Sequence, residues 1–576
     1  MTFNRALRYS HHNLHLSTRR VRKADRTYEY LDIVESFRVQ GRVRRKILGT
    51  LGRLDQIQPR KIDGLIEHLR KLASPEGSRG LRLGEVRILA TREYGVALAA
   101  RRLWEQLGLD ELLGGLGAGL EEAVFRMVVN RLSEPQSKLA LVDHHGRRQG
   151  REWQARVEWP SGRGQLTYNQ YLRAMDQLHP LRSQIEDQLF FRVTELFSLP
   201  LRLVFYDVTS SYFEGDGVCE LADYGHSSDH REDRAQVVVG LAITQEGLPI
   251  THRVFPGDTV DVSTLVPLSK ELKDRFGLPE AVLVGDRGMF SAENLAGLAA
   301  GGFKYVLSLR SRQQEEFGLA VKTALRAGFR KPQDLDSERS WAEVAIEPGH
   351  RHLVVYSALR AEHDFEVRER RLERALEPLA RLRQRAAKEK LPEKAIVERA
   401  TRILVENKVA KYFNYSAERG FFSFWLRCDI YREERRQDGF FVLKTNHLEL
   451  SPAEILASYL QLQEVERAFR VVKSLLKLRP IYHWRQRRVE THIFITFLAF
   501  LIAKALELKL RAAGLELSIA RALDQLSRLT ATEHTWEEQA RVVQASQPDR
   551  EVEAILAALG ISLRNPILRV TPALAA

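Results

Sequence analysis

At Pro200 the spacing of apolar residues changes, and the hundred or so residues that follow admit few architectures. Before it, apolar positions recur at helical intervals, as in Val96-Ala-Leu-Ala-Ala-Arg-Arg-Leu-Trp104 and Glu121-Glu-Ala-Val-Phe-Arg-Met-Val-Val129. After it, Leu201 to Val208 is a short, mostly apolar run that predicts a strand. Gln236–Ile243 and Pro249–Phe255, separated by a turn at Gln245-Glu-Gly247, predict an antiparallel pair. Ser263–Phe276 has helical spacing with Ser263 as N-cap. Ala281–Val284 predicts a fourth strand, broken by Gly285-Asp286-Arg-Gly288; a helix over Ser291–Ala300 and a fifth strand over Lys304–Leu309 follow. The order is β-β-β-α-β-α-β. Asp207 stands at the end of the first strand and Asp286 just past the fourth, which makes them the first candidates for chemistry.

The flanking segments set the organisation. Residues 28–54 alternate around Gln40-Gly41 and predict a β-hairpin, with Arg42, Arg44 and Lys46 on one face. Residues 1–60 hold 14 basic and 5 acidic side chains, so the front carries +9 of the formal net charge of +14. Charge of this kind points to a polyanion partner, because each neutralised phosphate releases counterions. From about 85 to 200 the chain reads as helical. Residues 310–445 interrupt the strand pattern with strand-like pieces (Trp341–Ile346, Arg351–Ser357, Phe421–Trp425) around a charged helical hairpin over 361–411. A strand at 438–445 and a helix opening at Ser451-Pro452 follow, and after 510 the chain reads as helical and polar. The longest apolar run, Ile493 to Ala503, is short of the ~20 residues a membrane span needs and predicts a buried core helix. Cys219 and Cys428 are too few and too far apart for a disulfide framework or thiolate metal site. With no secretory signal behind Met1, a reducing cytoplasm is the expected compartment.

The helix after Ser451 adds a third acid. Tyr459, Leu462, Glu466, Arg470, Lys473 and Lys477 recur at steps of three or four and predict one shared face. Val465, Phe469, Val472 and Leu476 form a separate apolar stripe. Taken singly, Asp207 and Asp286 read as turn or cap residues and Glu466 as a solvated one. Together they supply what metal-assisted phosphoryl transfer needs, several carboxylates converging on hard divalent cations ~4 Å apart. The cations in the row then meet the phosphates.

Tyr459-x2-Leu462-x3-Glu466-x6-Lys473 resembles the Y-(2)-R-(3)-E-(6)-K motif of DDE insertion-sequence transposases. Tyr206-Asp-Val-Thr-Ser-Ser-Tyr212-Phe-Glu-Gly215, Val254-Phe-Pro-Gly-Asp-Thr-Val-Asp261, Val284-Gly-Asp-Arg-Gly-Met-Phe-Ser291 and Arg479-Pro-Ile-Tyr482-His also resemble that group. So do the hairpin at 28–54 and Asn130-Arg-Leu-Ser-Glu-Pro-Gln-Ser-Lys138. The resemblance implies an α/β chain with a ribonuclease H-like core, split by a mostly β insertion domain and preceded by a β-hairpin arm and a helical domain. The corresponding domains are 1–80, 81–200, 201–309, 310–445 and 446–576. It implies a metal-binding, catalytic triad of Asp207, Asp286 and Glu466 holding two Mg²⁺ ions, with Mn²⁺ as a substitute. DNA contacts follow at Tyr459 and Lys473, joined by Arg470 and Lys477 from the row. The implied partners are double-stranded DNA, as terminal inverted repeats and target, and a second copy of the chain in the DNA complex. Cut-and-paste transposition at the bacterial nucleoid is the implied activity. The motif's arginine is Leu462 here, which keeps open a terminal-repeat binder that no longer cuts. A different ribonuclease H-like nuclease is the other alternative, disfavoured by the long insertion and the basic front.

Weaker candidates remain. His11-His12-x2-His15 reads as a polar turn in a DNA-binding arm, with metal binding as the alternative, and His144-His145 as a loop after a helix. Asp216, Asp223, Asp229 and Asp233 crowd the first inter-strand connection and read as solvated loop acids. Trp341 and Trp425 read as β core, with stacking on an unpaired base as the alternative.

Overall fold

The computed structural model describes residues 13–23, 26–39, 42–53, 86–142, 153–199, 203–215, 219–225, 227–278, 282–285, 291–309, 315–330, 339–536 and 540–572. The chain divides into two compact units: Met1–Ser198, Ser211–Gln236 and Arg470–Ala576 form one, Leu199–Ser210 and Val237–Phe469 the other.

In the first unit, β1 (Asn13–Lys23), β2 (Arg26–Val39) and β3 (Arg42–Arg53) make an antiparallel sheet in that order. The hairpin expected over 28–54 is present with a third strand before it; its turn residues, Gln40 and Gly41, lie outside the described residues. Buried Asp32 ties the three strands, accepting from Arg19 at 2.7 Å and from the Thr50 hydroxyl at 2.6 Å. The helical reading of 85–200 needs correction at its start, where β4 (Val86–Glu93) precedes the Gly95–Gln106 helix. Helices then run as expected through Phe197, including Ala118–Leu132.

In the second unit, β5 (Leu203–Tyr212), β6 (Gln236–Thr244), β7 (Pro249–Pro256), β8 (Val282–Gly285) and β9 (Lys304–Leu309) coincide with the five expected strands, β5 running on past Val208. β5, β8 and β9 are parallel neighbours, with Leu203 opposite Val282 and Gly285 opposite Leu307, while β6 and β7 are antiparallel. Every residue of β6 is buried, as expected of a strand covered on both faces. Gly240 within it makes room for β5: an added Cβ would stand 2.3 Å from the Tyr206 hydroxyl oxygen. Ser291 caps the Ala292–Ala300 helix, accepting from Asn294 N at 3.1 Å. Ser263 is not a cap. A 3-10 turn at Asp261–Thr264 precedes the Leu265–Asp274 helix, and Ser263 donates instead to the Val260 carbonyl at 2.9 Å.

The insertion differs from the mostly β expectation. β10 (Arg339–Val344), β11 (Arg351–Ser357) and β14 (Phe440–Thr445) join the main sheet, whose order is β10-β11-β14-β9-β8-β5-β6-β7. β14 pairs antiparallel with β9, covering an edge that would otherwise expose unpaired backbone groups. Outside the sheet the insertion is mainly helical. Ala358–Glu389 and Glu393–Glu406 make the expected charged hairpin, and β12 (Phe413–Glu418) pairs with β13 (Phe421–Leu426). Leu372, Leu379, Ile396, Leu404, Phe413 and Phe422 close a core of their own between these elements.

The C-terminal part of the first unit also departs from a purely helical reading. β15 (Thr530–Trp536), β16 (Ala540–Ala545) and β17 (Ile567–Pro572) form a sheet with β4 in the order β17-β16-β15-β4, Thr530 pairing with Glu93. The apolar run Ile493–Ala503 is buried throughout within the Gln486–Ala512 helix. Among the described residues no helix is long and apolar enough to cross a membrane.

Candidate active site

Asp207 lies inside β5 rather than at its end, beyond the stretch that pairs with β8. It is half-buried and its Oδ1 accepts from Val208 N at 2.8 Å. The last pair between the two strands is Phe205 with Val284, each two residues before a candidate acid. β8 ends at Gly285; Asp286 comes next in sequence and lies outside the described residues.

Glu466 is exposed on the Leu462–Arg470 helix, whose Val465, Ala468 and Phe469 are buried. The expected apolar stripe is therefore real, with Val472 and Leu476 buried as well. The expected polar row is broken in three places. Tyr459 belongs to the preceding Pro452–Leu460 helix, half-buried and stacked on Phe441 with ring centroids 5.6 Å apart. That helix opens as the sequence predicts, with Pro452 at its first position and a capping box between Ser451 and Glu454. A turn at Gln461 separates the two helices. After Arg470 the winding becomes π over Val471–Leu475, and Lys477 lies beyond it with φ +47. A strict α repeat of three and four cannot survive those changes of winding. Arg470 and Lys477 are exposed, Leu462 is half-buried, and Arg467 pairs with Glu464 at 3.7 Å.

Lys473, within the π turn, has a side chain only 9% exposed. It donates to Ser228 Oγ at 2.8 Å and to Asp229 Oδ1 at 3.1 Å. Arg479 ion-pairs with the same carboxylate oxygen. Asp229, read from sequence as a solvated loop acid, instead has a side chain only 6% exposed, held between two cations. Its spacing from Lys473 and Arg479 offered no signal.

The end of the π segment is tied down by the Asn130–Lys138 stretch. Asn130 holds that loop by donating to Glu134 O at 2.8 Å and accepting from Gln136 N at 3.1 Å. Arg131 then donates to the carbonyls of Leu476 at 3.3 Å and Lys477 at 2.9 Å. His492 Nε2 donates to the Leu478 carbonyl at 2.9 Å, leaving Nδ1 to accept from Lys138 Nζ at 3.5 Å. Burial depresses the basicity of all three, lowering Arg131 to about 10 and driving Lys138 and His492 well below their ordinary values.

Asp207 and Glu466 are hard oxygen donors of the kind Mg²⁺ and Mn²⁺ prefer. Among the described residues no three His, Cys, Asp or Glu side chains gather at metal-holding distances. Residues 199–502 match the transposase DDE domain family, a little over half of the chain. The chain belongs to the DDE insertion-sequence transposases. Residues 16–79 match the IS1634 family transposase N-terminal domain, a span that takes in all but the first three residues of the β1–β3 sheet. No curated protein matches. Among solved structures, the piggyBac transposase synaptic complex with hairpin DNA, determined by cryo-EM, is 9% identical over 75% of this chain and 76% of that one, with a TM-score of 0.36. Members of the DDE family act on DNA and generally use divalent metals.

Proposed function

We propose that this transposase is a metal-dependent DNA nuclease and strand-transferase with a ribonuclease H-like core, moving its element by cut-and-paste. The observation that carries the reading is the parallel neighbourhood of β5 and β8, the strand order expected when Asp207 and Asp286 serve one centre. Glu466, exposed on a helix whose other face is buried, is the third donor. Asp207, Asp286 and Glu466 would hold two divalent ions, Mg²⁺ or Mn²⁺. When bound, such ions supply Lewis acidity to the scissile phosphodiester and its attacking oxygen. The three carboxylates orient that centre. Arg470, Lys473 and Lys477 supply charge to the DNA backbone, and Tyr459 a ring and hydroxyl beside it. Terminal inverted repeats and target DNA are the substrates, and two copies of the chain act in the complex.

The test is cleavage of a plasmid carrying the inverted repeats that flank the reading frame, in Mg²⁺. Asp207→Asn, Asp286→Asn and Glu466→Gln should each abolish cutting and preserve end binding. Wild-type cutting by any one of them removes that residue from the triad. Leu462 in place of the motif arginine supports a second reading, a terminal-repeat binder without nuclease activity; a wild-type chain that binds ends but never nicks them would establish it.

A further inference from the structure

Building on the reading of Lys473 as a DNA contact, we propose that Asp229 occupies the place of a DNA phosphate and that DNA displaces it. The cation assigned to phosphate already holds an anion: Lys473 and Arg479 both engage Oδ1 of Asp229, and Ser228 Oγ stands 2.8 Å from the same ammonium. Two cations converging on one oxygen, the ammonium also anchored by its donation to the Ser228 hydroxyl, make a receptor suited to a phosphate oxygen, with the arginine able to fork onto a second one. The carboxylate fills this receptor incompletely. Oδ2 of Asp229 is buried and has no hydrogen-bond partner among the described residues, a state that costs stability. A phosphodiester presents two non-bridging oxygens, so exchange has a driving force.

The turn bearing Asp229 is local enough to move. Ser227 Oγ accepts from Asp229 N at 3.3 Å and Arg231 N at 3.1 Å, and His230 takes a left-handed φ of +55 that a side chain disfavours. A tethered carboxylate competes at high effective concentration. Loosely held DNA therefore loses to it, whereas an end held by the rest of the protein wins. Asp229 on this account tightens discrimination between transposon ends and other DNA.

The experiment compares wild type, Asp229→Asn, Lys473→Ala, Arg479→Gln and the Asp229→Asn/Lys473→Ala double variant. Each is titrated, across a salt series, with a labelled duplex carrying the flanking inverted repeat and with a scrambled duplex of equal length. Thermal unfolding checks that each variant is folded. Asp229→Asn should bind both duplexes roughly five- to tenfold tighter, the scrambled one gaining more, with the salt slope rising by about one phosphate. The gain should vanish in the double variant. Arg479→Gln, which keeps the carboxylate and removes one cation, should weaken binding. If Lys473→Ala is impaired while Asp229→Asn binds as wild type or more weakly, Asp229 is a fixed strut and the displacement proposal fails. If Arg479→Gln binds as wild type, the two-cation receptor fails. If Lys473→Ala itself binds as wild type, the underlying reading of Lys473 fails instead.

Discussion

Arg368, about three turns into the Ala358–Glu389 helix, forks onto Asp438 at the root of β14, with both side chains almost fully buried. Next to this pair, Gly439 N donates to Asp364 at 3.1 Å and Ser357 N to the Gly439 carbonyl at 3.0 Å, so the two ends of the helical insertion are stitched together where they leave the sheet. Gly439 has φ +80, and a Cβ there would stand 2.6 Å from the Ser357 carbonyl oxygen. Removing one partner of a buried pair strands the other's charge. Arg368→Met should therefore cost about 3–5 kcal/mol in urea denaturation, and Arg368→Met combined with Asp438→Leu should recover much of that loss. A single-variant loss below about 1 kcal/mol would show that the pair does not hold the insertion root.

The clamp on the π segment makes a second expectation. Arg131 supplies the buried donors for the Leu476 and Lys477 carbonyls and also donates to the Gln136 carbonyl at 3.1 Å. Arg131→Met leaves these acceptors without that donor and should lower stability by about 2–3 kcal/mol in the same assay. Arg131→Lys should recover less than half, because an ammonium lacks the planar fork that reaches several carbonyls at once. Full recovery by lysine would assign the effect to charge rather than geometry.

What could be read from sequence follows from the range of the interactions involved. β5 to β9 are short apolar runs bounded by glycine, proline or acidic breaks, and the Ser451 capping box spans three residues; such signals are local. The apolar stripe from Val465 to Leu476 was legible for the same reason. The β4–β15 pairing was not, since Thr91 and Thr532 are 441 residues apart and neither strand alternates cleanly. The π turn at Val471–Leu475 was equally hidden, because its residues suit an α-helix. Asp229 lies 244 residues from Lys473, and only the fold shows that it is held rather than solvated.

The front of the chain should set the salt dependence of DNA binding. Residues 1–60 carry a net +9, and β1, β2 and β3 place much of it on one sheet, with Arg20, Arg45 and Lys46 exposed. For every phosphate that is no longer neutralised, the slope of log K against log salt falls by about 0.9. Deleting residues 1–57 should flatten that slope by the equivalent of several phosphates and weaken binding to any duplex. An unchanged slope would place the electrostatic anchoring elsewhere in the chain.

Acid should destabilise the first unit earlier than its carboxylates require. Burial, reinforced by Lys138, Arg488 and Arg131, lowers His483 to about 3, against a partial opposing effect of Asp176. His492, whose ring centroid lies 5.6 Å from that of His483, is held well below its ordinary value by burial and the same lysine and arginine. Both imidazoles are neutral in the folded chain and titrate near 6.5 once unfolded. The unfolded state therefore binds more protons below pH 6.5, so their contribution is complete above that value and declines as pH falls towards 3. The slope approaches about 1.4 kcal/mol per pH unit for each histidine. Glu316 in the second unit is lowered to about 2 by His352, with Lys444 adding to it; its contribution is lost only below pH 4.5. The window from pH 6.5 to 5 thus isolates the histidines. The melting temperature should drop across it, and His483→Gln should shrink that drop. A melting temperature flat from pH 6.5 to 5 would mean that neither imidazole is held neutral by the fold.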